Sequence, residues 1–255
     1  MSAAREAGLP GPARYVASTG STNRDLMVAA ESGAPAWSVL AAGHQDAGRG
    51  RLGRAWVAAP GSGLLVSVLL RPSSPPGRVA LVSLAAAVAA AEALWETGVE
   101  ARCRWPNDLV AGGGGRKIAG ILPESKMAGG VVRYVVVGLG VNVRQSAEEF
   151  PQELRGSATS VAMERGTPDA GVLLVRYLTE LRRRCDPDAP GFQERTLDAY
   201  RSLCETIGSS VRAATTDGRV VEGTAIGVGA AGELLVHTHG GAAIPVGLGD
   251  VERLR

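Results

Sequence analysis

Cysteine is scarce in this 255-residue chain: Cys103, Cys185 and Cys204 stand far apart and form no CxxC pair. An odd, scattered set excludes a disulfide framework and a cysteine-based zinc site, and it leaves three free thiols suited to a reducing cytosol. Cys103 alternates with Ala101 and Trp105, the pattern of a small core residue on a strand. Aromatic residues make up only 4% of the chain, which argues against the stacking platforms that RNA or single-stranded DNA would need. An excess of one charge is also lacking. Lys and Arg number 27 against 25 Asp and Glu, a net charge of +2, whereas DNA-binding domains carry a concentrated basic surplus. The N-terminal residues contain no apolar stretch of signal-peptide form. The longest apolar run, Val79–Trp95, is mostly alanine and is interrupted by Ser83 and Glu92, so the expectation is that it does not span a bilayer. A soluble cytoplasmic protein is expected, with neither nucleic acid nor membrane as partner.

What is present is a 45% hydrophobic chain, enough for one large core or for a larger and a smaller domain. The first fourteen residues, rich in Ala, Gly and Pro, read as a frayed end. Thr22 and Asp25 have capping-box spacing and predict a helix start that runs to Gly33. Trp37–Ala42 and Gly63–Leu70 read as buried strands, with a basic, glycine-punctuated loop over 44–59 between them. Val79–Glu96 predicts a helix, Val99–Trp105 a strand stopped by Pro106, and 112–115 a glycine tip. Ile118–Leu122 and Val131–Val137 predict a hairpin pair. Pro168 is expected to open an amphipathic helix whose terminal Arg182–Arg184 run reads as solvated, and a second helix is expected over 192–207. After Gly208, short β-branched runs alternate with Asp217-Gly218 and further glycines, the texture of a small antiparallel barrel. The predicted domains are therefore 1–206 and 207–255. His237 and His239 read as ordinary barrel residues.

Three segments carry chemistry. In Gly48-Arg49-Gly50-Arg51-Leu52-Gly53-Arg54, arginine forks alternate with glycines that let backbone approach a ligand, a combination suited to wrapping an anion. Taken on composition alone, a mobile basic loop is the simpler reading. The second segment joins Arg104-Trp105-Pro106-Asn107-Asp108 to Arg116-Lys117-Ile118-Ala119-Gly120-Ile121-Leu122. Lys117 there either caps a strand in water or points an ammonium into a site where negative charge gathers, and Asn107-Asp108 make a good turn. In the third, Val135–Val137 run into what reads as a turn, Gly138-Leu139-Gly140-Val141-Asn142. It is not a dinucleotide fingerprint, because GxGxxG is absent.

In this order and spacing, the segments closely resemble the biotin–protein ligase family. Gly20-Ser21-Thr22-Asn23, Gln45 and Ala47–Trp56 match first. Arg104–Leu109, Arg116–Leu122 and Gly138–Asn142 follow, so that the likeness covers roughly 18–143 and continues more weakly to the C-terminus. The resemblance implies an α+β fold: a mixed, mostly antiparallel sheet packed with helices, like class II aminoacyl-tRNA synthetases, plus a C-terminal SH3-like β-barrel. It implies that biotin is activated by ATP to biotinyl-AMP and then passed to a lysine of a biotin carboxyl carrier protein. Ser21, Thr22, Asn23, Gln45, Gly48, Arg49, Gly50 and Gly120 would surround biotin, with its tail along Leu65 or Ile121. Arg51 and Lys117 would be catalytic, touching both biotin and the phosphates. Arg49, Arg54, Trp56 and Asn142 would contact the nucleotide, and Asp108 would orient the acceptor lysine.

Biotin carboxylate and ATP are both anions, so fixed cations at Arg51 and Lys117 would reduce their repulsion. No enzyme nucleophile is implied, and magnesium is expected on the nucleotide phosphates rather than in a protein cage. Some family members carry an N-terminal DNA-binding domain; with Ser21 so near the start, that domain and its repressor function are not expected. His44 and Asp46 receive no role. Two alternatives compete: a lipoate or octanoate ligase or transferase of the same fold, and, further off, a basic-loop nucleic-acid-binding module.

Overall fold

The computed structural model describes residues 2–111, 115–165, 169–214, 219–238, 240–247 and 250–253. The glycine tip at 112–114, Pro168, the Asp217-Gly218 turn and His239 lie outside them.

The N-terminus is ordered rather than frayed. Helix α1 (Ser2–Glu6) buries Ala4 in the main core, and Ala7 and Leu9 follow it there. Strand β1 (Ala13–Val16) leads to α2 (Thr22–Glu31). The cap of α2 is Ser21, not Thr22: its extended backbone lets Oγ accept the Arg24 N–H at 3.5 Å. Asp25 instead accepts the Thr19 hydroxyl. Strand β2 (Val39–Ala42) starts two residues later than expected, because Trp37 takes a positive φ of 65° that breaks the strand.

Beyond a short 3-10 turn at Arg51–Gly53 come β3 (Gly63–Leu70), α3 (Pro76–Val79) and α4 (Val82–Glu96). The stretch Pro76–Glu96 is, contrary to expectation, long and apolar enough to cross a membrane by length and composition, but it is 78% buried inside the protein. Its alanines let it lie close to the sheet. Strands β4 (Ala101–Arg104) and β5 (Asp108–Ala111) are followed by a hairpin of β6 (Arg116–Ala128) and β7 (Val131–Asn142), much longer than periodicity predicted. Helices α5 (Val161–Arg165), α6 (Ala170–Arg184) and α7 (Phe192–Leu203) complete the first part. The arginine run closing α6 is not simply solvated: Arg183 and Arg184 both pair with Glu92 of α4, and Arg182 lies 4.7 Å from the Trp37 ring centroid.

The seven strands run in the order β1-β2-β3-β7-β6-β5-β4, antiparallel except for the parallel β1–β2 pair, as the expected mixed, mostly antiparallel sheet. Side chains alternate between its faces. One face sends Val66, Val68, Ile121, Val137, Leu139 and Val141 into the core under α4, α6 and α7. On the other, Leu69 and Val136 meet Leu26 and Ala30 of α2. Farther along that second face the residues are Ser67, Gly120, Gly138 and Gly140, with Gly120 directly opposite Gly140 and Gly138 opposite Ser67. A sheet face stripped of side chains leaves a hollow. The GxGxN segment is thus continuous strand, not a turn. A Cβ on Gly138 would sit 2.3 Å from Asn23 Oδ1, and one on Gly140 would sit 2.6 Å from Trp56 Cε2.

A second, five-stranded antiparallel sheet is formed by β8 (Ser210–Ala214), β9 (Val220–Val228), β10 (Leu234–Thr238), β11 (Ala243–Val246) and β12 (Asp250–Arg253), in the order β11-β10-β9-β8-β12. Its inward residues, among them Val211, Ala225 and Leu234, join the same hydrophobic cluster as the first sheet.

Candidate active site

The hollow over the glycine face is a cavity of about 380 Å³, within the range of roughly 300–1,000 Å³ typical of small-ligand sites. Its lining includes Ser21, Thr22, Asn23, Gln45, Arg49, Gly50, Arg51, Arg54, Trp56, Asp108, Lys117, Gly120 and Asn142. These come from the N-terminus of α2, the arginine loop, the β4–β5 turn, and strands β6 and β7. Of the residues the sequence singled out as ligand contacts, Gly48 is not part of the wall. It sits at the neck of the loop, where its carbonyl accepts the Trp56 N–H at 2.9 Å. Of the two tail candidates, Leu65 is not part of the wall, and Ile121 borders the cavity while its side chain packs in the core on the other face of the sheet.

The arginine loop is folded back on itself. Gly50 N–H donates to Arg54 O at 2.7 Å, and Arg49 bridges to Ala55. Leu52, at the tip with φ 55°, is exposed. This closure brings Arg51 to the cavity, where its Nη1 donates to Asn107 Oδ1 at 3.2 Å while Asn107 Nδ2 donates to Ile121 O at 3.0 Å. Asn107, read from sequence as a turn residue, is therefore also a brace for Arg51. Lys117 enters from β6. Its Nζ lies 2.6 Å from Asp108 Oδ1 and 5.6 Å from the centroid of the Trp56 ring. Its backbone is pinned by Ser157 and Thr159 at 2.7 and 2.8 Å, so the ammonium leaves a fixed stem. Two cationic side chains from separate strands and loops thus share one hollow with a half-exposed carboxylate.

The opposite end is polar and nearly neutral. Thr22 N–H donates to Gln45 Oε1 at 2.7 Å, and Thr22 Oγ1 is 2.9 Å from the same oxygen. Asn23 Nδ2 donates to Leu122 O at 3.0 Å and to Glu124 Oε2 at 2.7 Å. Arg49 reaches Glu124 at 3.7 Å, so the carboxylate is matched by a cation. Trp56 covers Gly120 and Gly140, and its Nε1, though buried, has no partner among the described residues. A buried donor without a partner at a cavity wall is where a ligand acceptor fits. Asn142, by contrast, is committed to the protein: Nδ2 donates to Thr159 O at 3.0 Å and Oδ1 accepts from Gln145 at 3.3 Å.

Sequence reasoning missed Ser67, Glu124 and the segment 150–158 behind Lys117. Two of these left a signal. Glu124 follows Gly120 and Leu122 at a period of two, which places it on the ligand face of β6, and Ser67 is the one polar side chain inside the run 64–70. Arg104 and Trp105, just ahead of Pro106-Asn107-Asp108, have structural partners. Arg104 pairs with Glu205 at 2.6 Å, and Trp105 Nε1 donates to Gly232 O at 2.9 Å, tying the site to the second sheet.

Comparison with known proteins agrees with this geometry. Residues 15–142 match the model described as "Biotin/lipoate A/B protein ligase family", and residues 206–254 match "Biotin protein ligase C terminal domain". The chain is 38% identical over 251 residues to the biotin--[acetyl-CoA-carboxylase] ligase of Mycobacterium tuberculosis, covering 94% of this chain and 88% of that one. It is 35% identical over 224 residues to the bifunctional ligase/repressor BirA of Bacillus subtilis, covering 87% of this chain and 68% of the relative. Among solved structures, biotin protein ligase from Aquifex aeolicus in complex with biotin and ATP superposes with a TM-score of 0.79 at 26% identity, covering 95% of this chain and 99% of that one.

Proposed function

The chain belongs to the biotin/lipoate A/B protein ligase family, and within that family we propose how its pocket carries out biotin–protein ligation. The protein is a biotin–protein ligase that uses biotin and ATP. The observation that carries the residue roles is the meeting of Arg51 and Lys117 in one cavity with a polar, charge-balanced pocket at its far end.

In our reading the ureido ring of biotin lies at Ser21, Thr22, Asn23 and Gln45. Its carboxylate points toward Arg51 and Lys117. A carboxylate oxygen attacks the α-phosphorus of ATP, the bond to the β-phosphate bridging oxygen breaks, and pyrophosphate leaves with that electron pair. Arg51 and Lys117 hold charge that is greatest in the transition state, so their attraction favours it over the separated anions. Arg54 supports the nucleotide end, with Trp56 as a flat wall, while Arg49, drawn to Glu124 beside Asn23, stays nearer the biotin end. Magnesium, when bound with the nucleotide, would shield the charge of its phosphates. Of the carboxylates near the cavity among the described residues, Asp108 is engaged by Lys117 and Glu124 by Asn23 and Arg49.

The second step takes a lysine ε-amine of a biotin carboxyl carrier protein. The neutral amine attacks the acyl carbon of biotinyl-AMP, the acyl C–O bond to phosphate breaks, AMP leaves with that electron pair, and one amine proton passes to solvent. Asp108, with Oδ1 on Lys117, has a second carboxylate oxygen to orient that amine. We assign residues 1–206 to the catalytic domain and 207–255 to the SH3-like barrel, supported by the start of β8 at Ser210. We place the reaction in the cytoplasm, where three buried free thiols stay reduced.

The test is pyrophosphate release from the protein with ATP, magnesium and either biotin or lipoate. Biotin-dependent release is expected. Release with lipoate alone would overturn the substrate assignment.

A further inference from the structure

The polar end of the cavity holds three oxygen–oxygen contacts but only two hydroxyl protons. Ser67 Oγ lies 2.6 Å from Asn23 Oδ1 and 2.7 Å from Thr22 Oγ1, and Thr22 Oγ1 lies 2.9 Å from Gln45 Oε1. Asn23 and Gln45 contribute amide oxygens, which accept only. The orientation of Asn23 is fixed from outside the triad. Both hydrogens of its Nδ2 go to Leu122 O and Glu124 Oε2, so Oδ1 must face Ser67. Ser67 is fully buried, and its single proton therefore goes to Asn23. Of the two contacts left for the Thr22 proton, Ser67 at 2.7 Å is shorter than Gln45 at 2.9 Å and takes it. With that proton placed, Gln45 Oε1 keeps the Thr22 backbone N–H at 2.7 Å as its donor. Two oxygens at the cavity wall, Thr22 Oγ1 and Gln45 Oε1, are left lone pair to lone pair.

We propose that Ser67 and Asn23 are positioning residues that orient the Thr22 hydroxyl away from the cavity, so that this end presents acceptors only and selects a ligand bearing an N–H. The inference rests on the biotin reading and deepens it. A cyclic urea has two ring N–H groups, and one of them satisfies both oxygens. A dithiolane ring, as in lipoate, carries no such donor and would leave the cavity-facing lone pairs of both oxygens unmatched. The device lies behind the ligand: Ser67 does not line the cavity, and Asn23 acts through its carbonyl. Glu124 anchors the chain by fixing which way the Asn23 amide faces.

The experiment compares biotin with its two isosteric carbamates, in which one or the other ring N–H is replaced by oxygen, by calorimetric binding to the full chain. The wild-type protein is expected to bind biotin and to reject at least one carbamate by roughly 100-fold, because the new ring oxygen faces two acceptors. In Ser67→Ala the Thr22 hydroxyl loses its acceptor and can turn to donate into the cavity. Its carbamate penalty should fall to about 10-fold or less, while KM for ATP stays unchanged. A purely structural serine would weaken biotin and carbamate equally, and an unchanged ratio overturns the proposal. If Ser67→Ala does not fold, the wild-type measurement still decides: equal binding of biotin and both carbamates refutes the acceptor-only wall while leaving biotin ligation intact. No biotin binding at all removes the parent reading as well.

Discussion

Lys117 shows most directly how one side chain carries the chemistry. It is held by its backbone to the 157–159 segment and by its ammonium to Asp108. Removing the ammonium leaves a carboxylate facing two incoming anions, so the loss is double. Lys117→Ala is expected to lower biotin-dependent pyrophosphate release by at least about 100-fold with an unchanged circular dichroism spectrum. Near-normal release would take the lysine out of the adenylation step. This residue was legible in sequence, because a charge opening an apolar strand has few reasons to exist, and the RKxAGIL context identified the family. Ser67 was less legible: a serine in a buried strand reads as tolerated packing until Asn23 is placed over Gly138. The misreading of Gly138 and Gly140 as a turn has the same origin. Paired glycines signal both turns and close approach, and only the register opposite Ser67 and Gly120 shows that these two make room for side chains from other elements.

At the scale of elements, the arginine loop is a short hairpin whose neck governs its function. A Cβ on Gly48 would lie 2.5 Å from Trp56 O, against backbone rather than a yielding side chain. Gly48→Val should open the neck and withdraw Arg51 and Trp56 together, whereas Arg51→Ala removes one charge and keeps the loop. Both are expected to release free biotinyl-AMP into solution faster than the wild type, Gly48→Val more so, as read by chromatography of the unbound fraction. Equal retention in all three proteins would mean that the loop does not hold the intermediate. The helices offer a prediction of stability without activity. Glu92 of α4 receives Arg183 and Arg184 of α6, and Arg184 is only 18% exposed. Glu92→Ala leaves a largely covered guanidinium with only the more distant Glu180, 4.0 Å away. The expected cost is about 1–2 kcal/mol after allowance for partial solvent screening, a fall of roughly 3–6 °C in Tm, with pyrophosphate release unaffected. Helix periodicity could place these residues on α4 and α6, but not reveal that the arginine run turns back onto Glu92, because that contact spans 91 residues in sequence.

For the whole molecule, the change of texture after Gly208 announced a second unit, yet the core does not divide there. Val211, Ala225, Val228 and Leu234 belong to one cluster with the α4 and β4 residues. The polar link across the two sheets runs through a motif residue, Trp105, whose ring is buried and whose Nε1 donates to Gly232 O at 2.9 Å, next in chain to the β5 turn that carries Asn107 and Asp108. The second sheet therefore buttresses the turn bearing the brace for Arg51 and the partner of Lys117. Trp105→Phe keeps an aromatic ring there and deletes the donor, leaving the Gly232 carbonyl without its indole partner. Such a loss costs about 1–3 kcal/mol, so Tm should drop by a few degrees. If the second sheet positions the turn, kcat for adenylation should also fall while KM for biotin, set at the α2 end of the cavity, stays constant. A drop in Tm with kcat unchanged would make the link purely structural, and the turn would then hold its geometry from β4 and β5 alone.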